Sequence, residues 1–459
     1  MNAPGEPPAR AGRLVLALGG LSALSPFATD MYAPAFPEIV ASFHTSGAAV
    51  QLSLTACLVG IAAGQLVLGP VSDAVGRRRL LLVGCGLFTV FSAVCALARS
   101  LAVFETARLL QGCAAGAGLV VGRAVVSDRF TGVHAARRLS ALSVIAMTAP
   151  VLAPVAGGAV LGIGSWRLVF GALAAAGLAL WAAVGAWVPE SLPTERRGSG
   201  GVRAAFGATA GLLRRRRLVG GLLVMGCGLG ALFAYITGSP FVFRDGFGLS
   251  PTGYGLVFAV NAAGTVLAGV LFGRLAGRVR LGTLLAAGAA VTLAATGTLV
   301  ALHAAGAGGF PATWACLFGL TSGFGMVLPA ATTLVLDLGA DAPGAASGLL
   351  GGAQFVLGAA AAPLPGVAGD TTALSMAVVV CGCALLSAAA LPLLAGPRGG
   401  GGGQGGRGRA AVRRRERRGA VPRRRRRFRR ARRRHRCGTC APRRRSHRAR
   451  RSRRGRGRR

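Results

Sequence analysis

Chemistry in this sequence concentrates at a few polar side chains set inside long apolar runs. Asp30 stands in Phe27-Ala28-Thr29-Asp30-Met31-Tyr32-Ala33-Pro34-Ala35-Phe36-Pro37, near one end of an apolar run over 13–36. Arg108 and Gln111 stand in Arg108-Leu109-Leu110-Gln111-Gly112-Cys113-Ala114-Ala115-Gly116, within a second run over 102–124. An acid at such depth costs about 2.5–3.5 kcal/mol on insertion scales, so it marks a place where a proton, an ion or a substrate is handled. The alternative is an Asp30 that lies at the interface and faces water. Asp30 and Arg108 are each about six residues inside their runs, roughly 9 Å deep at 1.5 Å per residue, so they can share a level. Arg108 is therefore the expected partner of Asp30, holding it ionised until substrate or a conformational change disturbs the pair.

Further polar residues mark a possible cavity. They are Tyr32 beside the acid, Gln111 beside the arginine, Arg123 at the far end of the same run, and Asn261 and Gln354 in later runs. A snorkelling interfacial role competes for Arg123. Asn261 and Gln354 either line a cavity or bond a neighbouring backbone. Between 139 and 163, Ala149-Pro150-Val151-Leu152-Ala153-Pro154-Val155-Ala156-Gly157-Gly158 puts Pro150 and Pro154 ahead of Gly157 and Gly158. Such a run bends a membrane helix and leaves a smooth face for another helix, as does the G-x-x-x-G spacing of Gly112 and Gly116.

The elements that position these groups follow from composition. Of 459 residues, 53% are hydrophobic and only 14% charged, with mean hydropathy +0.57. A soluble domain carries about 25% charged residues, so the chain is an integral membrane protein. Twelve apolar runs read as spans: 13–36, 48–68, 80–98, 102–124, 139–163, 167–188, 218–240, 253–276, 281–303, 310–336, 344–366 and 373–395. The expected class is an all-α membrane protein, twelve transmembrane helices in two six-helix lobes. Its parts are a short N-terminus 1–12, a lobe 13–188, a basic central loop 189–217, a lobe 218–395 and a tail 396–459. With the N-terminus inside, the inner connections hold 18 arginines of the body and the outer ones hold only Arg99, Arg167 and Arg244. That bias places both termini in the cytoplasm. Eight of the ten cysteines lie inside apolar runs, where a thiol acts as a small hydrophobe, and no disulfide framework is implied.

Between the second and third runs lies Gly69-Pro70-Val71-Ser72-Asp73-Ala74-Val75-Gly76-Arg77-Arg78-Arg79. One acid and three arginines cannot lie in lipid, so this reads as a tight loop at the cytoplasmic surface. Gly69 and Gly76 let the helix ends approach, and Asp73 can pair with an arginine or a helix N-terminus. Gly277-Arg278-Val279-Arg280-Leu281 repeats Gly76-Arg77-Arg78-Arg79-Leu80 faintly, six runs on.

The pattern G-x-x-x-D-x-x-G-R-R-R resembles the signature loop of major facilitator superfamily transporters. A closer resemblance, to the Bcr/CflA drug-resistance subgroup, rests on Thr29-Asp30-Met31-Tyr32 with its two following prolines, Arg108-Leu-Leu-Gln-Gly, Arg123-Ala-Val-Val-Ser-Asp128, Gly164-Ser165-Trp166-Arg167, Pro189-Glu190-Ser191-Leu192-Pro193 and Gly238-Ser239-Pro240-Phe241-Val242-Phe243. It spans roughly residues 13–395 and implies a proton-coupled drug/H⁺ antiporter of the bacterial inner membrane. By that resemblance Asp30 is the proton-titrating acid, Arg108 its coupling arginine, and Asp73 with Arg77 and Arg78 part of a gate. The fifth-helix antiporter motif usually has Gly before its proline, whereas Ala153 stands here.

The partners that follow are a small-molecule substrate, protons and membrane lipid, acting on a monomer. An exporter of a metabolite such as an amino acid or sugar is the alternative within transport. No G-x-x-x-x-G-K-[ST] phosphate loop, nucleophile–base constellation or metal site points to ATP-driven transport or an enzyme, and no cofactor is expected. The tail stands apart: 30 of the 53 basic residues lie from Arg398 onward, among glycines. Such a run is expected to be disordered. It reads as nucleic-acid binding, as attachment to anionic lipid, or as a C-terminus read out of frame from GC-rich DNA. The abrupt change after the twelfth run favours the third, so nucleic acid is not an expected partner. The zinc-like spacing of Cys437 and Cys440 with His435 and His447 is set aside for the same reason.

Overall fold

A computed structural model of the chain describes residues 8–130, 132–192, 210–341, 343–367 and 369–394. The tail and most of the central loop lie outside these, as does the side chain of Asp73. Among the described residues, twelve helices are long and apolar enough to cross a membrane. They are Gly12–Phe43, Gly47–Gly69, Arg77–Leu97, Leu101–Arg129, Arg137–Ile163, Trp166–Trp187, Arg216–Gly246, Pro251–Leu275, Leu281–Ala304, Phe310–Leu338, Ala346–Gly366 and Ala373–Leu394, here the first to twelfth spans. Each contains the roughly 20 apolar residues that a helix needs to satisfy its own backbone across a bilayer.

The spans form two lobes with one packing plan. In the first lobe the first span packs on the fourth, fifth and sixth, the second on the fourth, and the third on the fourth and sixth. In the second lobe the seventh packs on the tenth, eleventh and twelfth, the eighth on the tenth, and the ninth on the tenth and twelfth. Every pairing recurs six spans later. The lobes meet through the fifth span on the eighth and the second on the eleventh, two contacts that exchange under the same repeat. The faint sequence repeat has a backbone counterpart: Gly76 has φ 104° and Gly277 φ 86°, a conformation that an L side chain resists.

Glycines set how closely the backbones approach. The second and fourth spans interlock through Gly60 and Gly64 on one and Gly112 and Gly116 on the other. A Cβ at Gly112 would sit 2.1 Å from the Cys57 carbonyl oxygen, and one at Gly60 would sit 2.0 Å from that of Leu109. The fifth span works on two sides. A Cβ at Gly157 would meet the Met31 carbonyl oxygen of the first span, and one at Gly158 would lie 2.6 Å from that of Pro251 in the other lobe. The eighth span answers with Gly255, whose Cβ would lie 2.8 Å from the Pro154 carbonyl oxygen. Ala153 is fully buried, so alanine is tolerated where glycine is usual.

Three boundaries differ from the sequence reading. The first span runs on to Phe43, because a second helix, Phe36–Phe43, continues it past a break. The seventh runs on to Gly246 through a π-helical turn, Phe241–Gly246. The expected loop Gly69–Arg79 is mostly helix: one helix runs from Gly47 to Val75 and the next starts at Arg77. Gly76 alone makes the turn.

Gly112→Ala is expected to lower the melting temperature in detergent, since overpacking against a rigid carbonyl costs about 1–3 kcal/mol. Gly171→Ala meets nothing within 4 Å and serves as the control that leaves stability unchanged. A fluorescence thermal scan of both variants checks the contrast.

Candidate functional site

The first helix, Pro8–Asp30, ends on the acid itself, and a 3-10 turn, Ala33–Ala35, separates it from Phe36–Phe43. Prolines make this break: Pro34 and Pro37 each occupy the first turn of a following element, where a missing N–H is harmless. Asp30 is 4% exposed, and its Oδ1 has no hydrogen-bond partner. The turn that follows packs against the fifth, seventh and eighth spans, so the acid stands beside the junction of the two lobes.

The ion pair expected between Asp30 and Arg108 is not formed. Arg108 is completely buried, and its Nη1 donates to Gln111 Oε1 instead. Its guanidinium lies 4.1 Å from the Tyr32 ring centroid and 5.6 Å from that of Phe170. Gln111 Nε2 donates to Ser92 Oγ at 2.7 Å, and the Tyr32 hydroxyl meets Ser53 Oγ at 3.1 Å. A polar chain thus runs through the first lobe from Ser92 through Gln111 and Arg108 to Tyr32 and Ser53. The physical reason is depth. With the first span ending at Phe43, Asp30 lies thirteen residues inside it, whereas Arg108 lies seven residues inside the fourth. Cys57, fully buried on the second span, is within electrostatic reach of both charges. Cation–π contact, strongest where water is absent, takes the place of a counter-ion at Arg108. Its Nε and Nη2 have no hydrogen-bond partner.

At the arginine-rich end, Arg77 is 9% exposed and its Nε donates to Asp128 Oδ2 at 3.1 Å. A second nitrogen reaches Ser72 Oγ. Glu190 caps the third span, accepting from the backbone N–H of Arg77 at 2.9 Å and of Arg78 at 3.2 Å. Arg78 Nη2 donates to the Gly185 carbonyl oxygen at 2.6 Å. The described acids of this cluster are thus Asp128 and Glu190, one from the fourth span and one following the sixth. Asp73, the acid expected there, has its side chain outside the described residues. Elsewhere at this end, bidentate hydrogen bonds from Arg215 hold the exposed Asp341 carboxyl below its usual range.

The remaining candidates separate. Arg123 is exposed, and Pro150 is half-buried on the fifth span. Asn261 is completely buried but bonds neither cavity nor backbone: its Nδ2 donates to the Tyr235 hydroxyl at 2.9 Å, and Trp314 Nε1 donates to its Oδ1 at 3.0 Å. Gln354 Nε2 lies 3.2 Å from Met225 Sδ within the same lobe. Sequence reasoning missed Glu38 and Arg244, which form an ion pair across the lobes, because both spans were drawn too short to include them. It also gave Glu190 no role, although an acid three residues after a span and opposite an arginine-led helix start is a readable cap.

Residues 18–363 match the family model described as Major Facilitator Superfamily. The chain is 37% identical over 375 residues to the MFS-type transporter YdgK of Bacillus subtilis (strain 168), covering 80% of this chain and 92% of that one. It is 29% identical over 271 residues to the bicyclomycin resistance protein homolog of Haemophilus influenzae, covering 59% and 68%. It is 32% identical over 288 residues to the multidrug transporter MdfA of Edwardsiella piscicida, covering 61% and 69%. Among solved structures, the xylose transporter XylE of E. coli, in a partially occluded inward-open conformation, superposes with TM-score 0.67 at 14% identity over 86% of this chain and 100% of that one. At that identity the likeness concerns the fold alone.

Gln111→Leu removes the acceptor that holds the buried Arg108 guanidinium and should cost about 1.5–3 kcal/mol, the range for a hydrogen bond to a charged group. The expected readout is a lower melting temperature in detergent. Gln111→Glu, which keeps an acceptor and adds a counter-charge, should recover most of it.

Proposed function

The chain belongs to the major facilitator superfamily, and from that premise we propose that it exports drug-like small molecules from the bacterial cytoplasm in exchange for protons. The two lobes open alternately to either side. The Bcr/CflA-like motifs and the drug-resistance relatives support a drug-like substrate. The arginine excess supports an inner-membrane orientation with the arginine-rich end, and both termini, in the cytoplasm.

The observation that carries the reading is Asp30, a carboxyl at the lobe junction, nearly fully buried, with one oxygen lacking a donor. A buried carboxylate without a donor is costly. Two things relieve that cost: a proton, or a donor or cationic group on a substrate. They cannot occupy the same carboxylate together, so each expels the other, and that exclusion is what antiport requires. Arg108, engaged by Gln111 and Tyr32, leaves the carboxylate available for the exchange. The small-residue contacts at Gly157 and Gly158 support a role for the fifth span as the sliding face of the lobe junction. Asp128, Arg77 and Glu190 form the gate at the cytoplasmic end.

Asp30→Asn keeps size and much of the hydrogen bonding while removing the titratable group. Efflux driven by a pH gradient in proteoliposomes should fall to background, and substrate binding should persist without its pH dependence. Full pH-driven efflux by this variant would be fatal to the mechanism.

A further inference from the structure

A single side chain of the opposite lobe hydrogen-bonds both the turn after Asp30 and the helix beyond it. Arg244 sits in the π-helical turn Phe241–Gly246 at the end of the seventh span. Its Nη1 donates both to the Pro34 carbonyl oxygen and to Glu38 Oε2. Pro34 belongs to the 3-10 turn four residues after Asp30, and Glu38 to the helix beyond that turn. One guanidinium from the second lobe therefore grips the turn that follows the acid and the helix beyond it. The neighbourhood is built as a closure. Phe36 and Phe241 rings meet at 6.1 Å, Gln51 Nε2 donates to Thr371 Oγ1 at 3.0 Å, and a Cβ at Gly47 would lie 3.1 Å from the Phe241 ring. All of these join the lobes at the arginine-poor end.

An exposed ion pair contributes little, but this one is not of that kind. The Arg244 side chain is 14% exposed and that of Glu38 35%, and Arg244 Nε is buried without a partner. Removing Glu38 leaves a largely desolvated arginine, the costly way to break such a pair. Both bonds also run to one segment, so they break together when the lobes part. π-helical turns inside longer helices recur at functional positions, and here the turn carries the arginine.

We propose that Arg244, with Glu38, is the latch that closes the lobes at the arginine-poor end and thereby positions the Asp30 turn. This rests on the reading above that Asp30 carries the exchanged proton. With the latch made, the turn is fixed and the carboxyl is buried. With it broken, the turn loses both of its anchors to the second lobe and the carboxyl is free to meet the other side of the membrane.

The test uses the full chain in lipid nanodiscs, with spin labels carried on non-canonical residues at the exposed positions Ala41 and Ala305, one on each lobe at this end. Arg244→Gln should raise the long-distance (open) population relative to the short one about tenfold, the ratio expected for a lost charge-assisted hydrogen bond. Glu38→Gln, a gentler change that leaves the Pro34 bond, should move the same way by less, and Arg244→Lys should recover part of the closure. In proteoliposomes Arg244→Gln should also shift the pH profile of efflux, which a merely structural contact would leave in place. An unchanged distance distribution in both Arg244→Gln and Glu38→Gln overturns the latch, and an opened end with a wild-type pH profile overturns the positioning role. Asp30→Asn run in parallel keeps the two readings apart. If it still pumps on a pH gradient, the proton reading falls, while the distances decide the latch independently.

Discussion

A carboxyl can be buried in a membrane protein without a donor only where something else reaches it in turn. Asp30 meets that condition because the helix carrying it stops there. Pro34 and Pro37 forbid a continuous first span, and the 3-10 turn between the two helical pieces faces the opposite lobe. The same break gives the second lobe a carbonyl and a carboxylate to hold. Burial of the acid and closure of the lobes are thus consequences of one interruption in one helix.

Close backbone approach is the second requirement, and it is met by small residues at defined levels. In lipid there is no hydrophobic force between helices, so van der Waals contact must supply the association. The second and fourth spans gain it through four glycines facing backbone atoms, which makes that pair the stiff spine of the first lobe. The fifth span spends its two glycines differently, one on the first span of its own lobe and one on the eighth span of the other. A rigid pair inside the lobe and a smooth face between lobes are what a rocking two-lobed body needs. The helix starts show a related division. Ser46, Ser100, Ser165, Ser250 and Thr372 cap spans that begin at the arginine-poor end. At the other end the first, third, fifth, seventh and ninth spans start among arginines, against the helix dipole, and the third is relieved by Glu190.

Much of this was legible beforehand, and the failures share one cause. Twelve spans, two lobes and the family follow from apolar runs and spaced motifs, because hydropathy and small-residue spacing are local properties of the chain. The Asp30–Arg108 pair was inferred from depth, and depth depends on where a span ends. Hydropathy stops the first span near Phe36, since Pro37 and Glu38 are poor membrane residues. The structure carries the helix to Phe43 because Glu38 is neutralised by Arg244 from a span 200 residues on. An error at the end of the first span misplaced Asp30 relative to Arg108, and one at the end of the seventh put Arg244 in a loop. Loop length failed in the opposite direction: a charged stretch reads as a loop, yet Glu190 and Gly76 allow two helices to meet with one residue between them.

The symmetry of the packing sharpens what the asymmetry of the chemistry means. Each of the large helix contacts of the first lobe has its counterpart in the second, so the scaffold is duplicated. The charges are not. The first lobe buries Asp30 and Arg108, while the polar cluster in the second joins Tyr235, Asn261 and Trp314, all neutral and mutually satisfied. A satisfied neutral network has one stable arrangement, whereas a carboxyl with one oxygen lacking a donor has at least two, protonated or bound. In the proposed exchange the second lobe is therefore the wall against which the first changes state. Its one charged reach into the first lobe at the arginine-poor end, Arg244, lands on the segment that changes.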